Sequence, residues 1–193
     1  MTSLAFKKKI MIQEAVGATS LNESYLVTDA ETGCGMAVVE EHVTTAQKVA
    51  KMFIDKSLLP TSLTLKNCDG DKILDLYQPA SFFRSAFTVR DANGKILCVF
   101  KQAFSLIKPL IYVEDEKGQI IGHIKSDWRF RNFVFTSGSG ETISAIKHKF
   151  MGIAKHLLTS ADDYEVEMSN TDENMLLISI AAAICIDFFY HEN

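Results

Sequence analysis

"MLLISIAAAICIDFFYHEN", Met175 to Asn193, is the most apolar stretch of the chain, and its length decides what fold the rest can build. Between Met175 and Ile186 only Ser179 is polar, so these residues offer no hydrophilic face. Asn170 or Thr171 supplies an N-cap, and Asp172 and Glu173 put negative charge where a helix N-terminus favours it. A helix that is apolar all round sits either in a membrane or in the middle of a protein. Counted to Tyr190, the stretch is 16 residues, or about 24 Å at 1.5 Å per residue. A hydrocarbon core of about 30 Å wants about 20 residues. Asp187 interrupts the far end, and no Lys or Arg follows to mark a cytoplasmic flank. The expectation is a helix over about 172–190, buried in protein, with Leu176, Leu177, Ile180, Ala183, Ile184 and Phe188 in the core. A single membrane span through Met175–Tyr190 is the alternative.

What would enclose such a helix is written in glycines. KNCDGDKIL around Gly70, RDANGKIL around Gly94, EDEKGQII around Gly118 and TSGSGETIS around Gly140 share one design, at spacings of 24, 24 and 22 residues. A looser copy, TDAETGCGM, holds Gly33 and Gly35. The flanks alternate or are rich in β-formers, as in Ala86–Arg90 and Lys95–Phe100. Asp-Gly and Asn-Gly supply the positive φ that two-residue hairpin turns require, so the pattern predicts consecutive hairpins. Five hairpins give ten strands, and Lys7–Gln13 and Tyr164–Met168 add one each. A propeller blade needs about 40 residues, roughly twice this unit, so a barrel is expected. About a dozen strands enclose a lumen too wide for their own side chains to fill, and the C-terminal helix is the element to fill it. The fold class is mainly β with a helix (α+β), a roughly twelve-stranded antiparallel barrel in one domain over residues 1–193.

One segment breaks the β pattern. Val43, Ala46, Val49, Ala50, Phe53, Ile54 and Leu58 fall at helical spacing, which predicts a helical insertion over about 43–58 that Pro60 ends. It would pack on the barrel or lie on a membrane surface.

Composition narrows the function. The 193 residues are 47% apolar and carry a formal net charge of −4, against a nucleic-acid partner. The N-terminal MTSLAFKKKIMIQ lacks the apolar core of a secretory signal and the glycine of a myristoylation site. Cys34, Cys68, Cys98 and Cys185 are scattered without a CxxC pair, which predicts buried reduced thiols in a cytoplasmic protein. The five histidines show no metal spacing, and neither a nucleotide-binding loop nor a nucleophile elbow occurs, so no enzyme is expected. The local signal is basic: Lys125, Arg129 and Arg131 surround Trp128, and Lys147, Lys149 and Lys155 follow. Adjacent hairpins could bring these together for an anionic headgroup, with Trp128 at the interface. The plainer alternative is solvated strand charge.

Three features together carry a family resemblance: AIKHKFMGIAKHLLTSADDYEVEM (145–168), an acidic connection, and MLLISIAAAICIDFFYHE (175–192). FTVRDANGKILCVFKQ (87–102) and IGHIKSDWRFRNFVF (121–135) add to it. The chain resembles the phospholipid scramblases and, more broadly, the tubby-like superfamily that includes the plant LURP-one-related proteins. The resemblance implies a twelve-stranded tubby-like barrel around a buried C-terminal helix. It also implies association with anionic phospholipid or phosphoinositide at the inner face of a membrane, with scrambling or headgroup binding as the activity. A soluble protein-interaction module of the same fold is the alternative. The scramblases' Pro-rich extension and clustered cysteines are absent here. Calcium is the one cofactor the resemblance implies, through Asp162, Asp163, Glu165 and Glu167. Counted from Asp163, however, Met168 stands at the sixth position, where a loop of that kind needs glycine. DYEVEM reads equally as a strand with its carboxylates outward.

Overall fold

Residues that alternate between apolar and polar hide one face of a strand, and twelve such strands in succession must curl until the hidden faces meet. In the computed structural model, which describes residues 4–15, 23–54, 58–80, 86–103, 109–149 and 163–190, they do. The strands are β1 (Lys9–Glu14), β2 (Ser24–Asp29), β3 (Gly35–Glu41), β4 (Thr61–Asn67), β5 (Lys72–Gln78) and β6 (Ala86–Asp91). There follow β7 (Ile96–Gln102), β8 (Leu110–Glu114), β9 (Ile120–Ser126), β10 (Asn132–Ser137), β11 (Thr142–Lys149) and β12 (Asp163–Met168). Each pairs antiparallel with the next, and β12 returns to β1 with Val166 opposite Ile10, so the sheet closes. Two helices stand among the described residues, α1 (Thr45–Ala50) between β3 and β4, and α2 (Glu173–Tyr190) after β12.

The glycine turns all lie at one end of the barrel, and those at Gly70, Gly94 and Gly118 work the same way. In the β6–β7 turn, the amide of Gly94 donates to the carbonyl of Asp91 at 3.0 Å, while Asp91 Oδ1 accepts the amides of Asn93 and Lys95, both at 2.9 Å. Asn67 and Asp115 do the same before Gly70 and Gly118. Only the glycine has a positive φ, +85° at Gly94, and a register shift follows in the ladder. The expected two-residue turns, with Asn or Asp also left-handed, are therefore replaced by a type I turn closed by a glycine bulge. The acidic or amide residue that opens the turn is its second determinant.

Helix α2 runs through the lumen. Twelve strands at about 4.8 Å spacing make a barrel roughly 20 Å across its backbone. A helix about 10–12 Å thick leaves room for one layer of inward side chains all round. Every residue from Ile178 to Asp187 is buried, and Phe188 packs edge-on against Phe87 of β6 with ring centroids 5.4 Å apart. Leu176, Ile180, Ala183 and Ile184 are buried as expected, whereas Leu177 and Phe188 are half-buried at the margin of the same core. The three consecutive alanines, Ala181–Ala183, keep the helix slim where the walls close on it. By length and composition α2 would pass for a membrane span, yet most of it lies inside the barrel.

Two local expectations change. The helix expected over 43–58 is the single segment α1, closed at its start by a Thr44–Gln47 capping box. Beyond Ala50 the backbone continues as turns, with i→i−3 bonds from Met52 to Val49 and Phe53 to Ala50 and an i→i−4 bond from Ile54 to Ala50, and residues 55–57 lie outside the described residues. No residue of α1 is buried. Among the cysteines only Cys98 and Cys185 are buried; burial pushes the Cys98 thiol up to about 12 and Cys185 well above its ordinary value. Cys34 and Cys68 are exposed, because they sit at turns, where strand alternation no longer hides alternate residues.

Candidate functional site

At the end of the barrel away from the glycine turns, β9 passes to β10 through Asp127–Arg131, and this turn is built around one carboxylate. Asp127 Oδ1 accepts the Arg131 amide at 3.0 Å, and its other oxygen accepts Asn132 Nδ2 at 2.8 Å. Burial works to raise the Asp127 carboxyl, but these bonds outweigh it and hold it below its ordinary value. The Arg131 carbonyl accepts the His148 amide at 2.8 Å, tying the turn to β11. Phe130 takes a left-handed φ of +57°, alone among non-glycine described residues, and its ring meets Tyr190 of α2 edge-on at 5.6 Å. A bulky residue in that conformation is strained, and the surrounding bonds hold it there. The result lifts Trp128 into solvent, 68% exposed, with the Arg129 guanidinium 4.7 Å above its ring.

The neighbouring wall carries the other basic residues. Lys125 projects from β9, and Lys147 from β11, on the same outer face two strands apart, about 10 Å at ordinary strand spacing. Lys147 and Lys149, however, face β12. Lys149 Nζ lies 3.0 Å from Glu165, Lys147 lies 4.0 Å from Glu165 and 3.9 Å from Glu167, and Lys9 of β1 reaches both from the other side. Burial would raise the Glu165 carboxyl, and the three lysines more than reverse it. The basic patch expected from the sequence is thus in two parts. Lys125, Trp128, Arg129 and Arg131 cluster at the β9–β10 turn. Lys147 and Lys149 belong to a charge ladder that spends their charge on β12. Lys155 lies outside the described residues.

That ladder also answers the fit of a calcium ion. Asp162 lies outside the described residues. Asp163, Glu165 and Glu167 alternate along β12, with Tyr164, Val166 and Met168 pointing inward. Asp163 accepts Gln13 Nε2 at 3.3 Å, and the two glutamates are engaged with lysines. A divalent cation would meet three ammonium groups here, so these residues do not fit one. Among the described residues no three metal-ligating side chains converge anywhere. Of the histidines, His42 bonds Thr64 and His148 stacks on Tyr164, so both serve the wall.

Asp127 and Phe130 were not evident from sequence as site residues. The signal available for Asp127 was an acid four and five residues ahead of the amides it accepts.

A closed antiparallel barrel of twelve strands threaded by an apolar helix defines a tubby-like protein. The chain belongs to the LURP-one-related family, whose model matches residues 9–187. Its fold is similar to the X-ray structure of an Arabidopsis thaliana protein, with a TM-score of 0.55 over 96% of this chain and 94% of that one, at 14% sequence identity. No curated protein sequence matches the chain. These barrels are not a known class of enzyme.

Proposed function

We propose that this protein is a scramblase-like barrel that associates with anionic phospholipid or phosphoinositide at a membrane surface, as a peripheral protein of the cytoplasmic face. The observation that carries the proposal is the β9–β10 turn. A tryptophan ring held 68% exposed, with a guanidinium over it and Lys125 and Arg131 within three residues of it in the chain, suits the headgroup region, where indole rings settle and cations meet anionic lipid. Binding is the activity supported. Transport across a bilayer would need a hydrophilic track, and the lumen is filled by α2; flipping would require the barrel to open.

Sedimentation with phosphatidylcholine vesicles, with and without phosphatidylserine or a phosphoinositide, tests this. Binding is expected only with the anionic lipid and is expected to weaken as salt rises. Lys125→Ala and Arg129→Ala should each weaken it about fivefold, since a cation near such a surface contributes about 1 kcal/mol. Absence of binding, or binding indifferent to salt, favours a protein-interaction module instead. The acidic net charge and the lysines spent on β12 are the features in its favour.

A further inference from the structure

Val49, Phe53 and Ile54, of the apolar face expected to pack on the barrel or lie on a membrane surface, are on the outside, and so is Met52 beside them. Val49, Met52, Phe53 and Ile54 are 54%, 67%, 82% and 46% exposed within six residues of chain. Elsewhere on the wall, exposed Tyr77 and Tyr112 each sit between polar cross-strand partners, and Leu26–Val38 and Ile120–Ile121 are exposed apolar pairs of two residues each, which is ordinary for a protein surface. The α1 segment is firmly seated nonetheless. Lys51 Nζ bonds both carboxylate oxygens of Glu41 at 2.7 and 2.6 Å in a nearly buried pair. Gln47 Nε2 donates to the Pro60 carbonyl at 3.2 Å, and the capping box fixes the first turn. A segment anchored this well, with its largest side chains exposed, is a wedge that no other described residue covers.

Its place in the barrel supplies the partner. Strands alternate in direction, so the β3–β4 connection that holds α1 emerges at the same end as the β9–β10 turn that holds Trp128. Going round the barrel, the two connections are six strands apart out of twelve, diametrically opposite. Two apolar projections therefore stand across one rim, roughly 20 Å apart from the barrel's own width. Both are edged by cations, exposed Lys48 at one and Arg129 at the other. Among the described residues, the carboxylates of Glu41 and Asp127 at these two places are already engaged, Glu41 with Lys51 and Asp127 within its turn.

We infer that the protein stands end-on upon an anionic phospholipid bilayer, with Met52, Phe53 and Ile54 inserted on one side of the rim and Trp128 on the other. Two insertion points and the rim between them set a plane, so α2 stands upright on the membrane with its Tyr190 end toward the lipid. This rests on the lipid-binding function proposed above and adds to it a second contact and an orientation.

Trp128 is the sole tryptophan, which makes the test direct. The wild type reports on one side of the rim, and Phe53→Trp in a Trp128→Phe background reports on the other. Each is bound to phosphatidylcholine–phosphatidylserine vesicles, with and without bromine on the acyl chains, and sedimentation is measured in parallel. Both reporters are expected to shift to the blue and to be quenched by brominated lipid. Met52→Ser and Phe53→Ser should each weaken sedimentation about tenfold, as the loss of one inserted large apolar side chain does. If Trp128 is quenched while the reporter at position 53 remains in water, end-on docking is overturned and lipid binding stands. Sedimentation with neither reporter shielded overturns it too and points to the wall lysines. No sedimentation at all removes both. Self-association that Phe53→Ser abolishes, without vesicle binding, would make the rim a protein interface and also overturn it.

Discussion

A carboxylate inside an apolar barrel is costly unless its oxygens are bonded, and Asp187 has a tyrosine hydroxyl on each. Tyr25 of β2 and Tyr164 of β12 both donate to it at 2.7 Å. The three come from distant parts of the chain, so the sequence showed Asp187 only as an interruption of an apolar run. Asp187→Ala would leave two buried hydroxyls without their acceptor, at about 1–3 kcal/mol each. A loss of about 2–5 kcal/mol in urea unfolding is expected, with Asp187→Asn milder because it keeps one acceptor. Asp29 makes a pH-dependent contribution instead. Its bond to Lys7, then the Glu31 amide, hold its carboxyl down from 3.8 to about 2. A depressed folded pKa means that the contribution is whole above the unfolded value and is lost as pH falls through the folded one. The stability difference between wild type and Asp29→Asn should therefore be constant down to about pH 4 and shrink toward pH 2, measured by urea unfolding along that range.

Among the elements, legibility followed how local the cause was. Hairpins were legible because each turn carries its own determinants in five or six consecutive residues, as Asp91 to Lys95 does. The strand reading of DYEVEM was equally local, since alternation alone turns Glu165 and Glu167 outward. Which lysines meet those glutamates was not legible, because the β11–β12 register is set across a connection of 13 residues, 150–162. The length of α1 was overestimated for a related reason: helical spacing marks which residues share a face, and it does not say that the face finds a wall. Helix α2 is the element with the largest consequence. Leu176, Ile178, Ile180, Ile184, Ile186 and Phe189 are buried by it. At about 1.5–3 kcal/mol apiece they match the whole net stability of an ordinary domain. A chain cut after Asn170 should show no cooperative unfolding by circular dichroism, whereas the full chain should. A folded truncation would mean that the barrel can fill itself.

For the whole molecule, the two ends of the barrel have different characters. One is a ring of tight glycine turns, each closed on its own backbone. At the other, among the described residues, α1 and the Trp128 turn carry exposed apolar side chains around the end of α2, whose Phe189 is buried. The family and fold account for the barrel; the asymmetry between its ends is where the proposed function resides. The order of the chain adds something about how such a molecule is made. The twelve strands leave the ribosome before the helix that fills them, and β1 finds its second neighbour only when β12 arrives. Until then every inward face, from Ile10 to Val166, is apolar surface without a lining, and the pairing of β1 with β12 waits on almost the whole chain. Slow closure and exposed strand edges are conditions under which nascent chains aggregate. Synthesis of this protein thus has a vulnerable interval that ends only with its last helix, and holding chaperones should engage it up to that point and release it after.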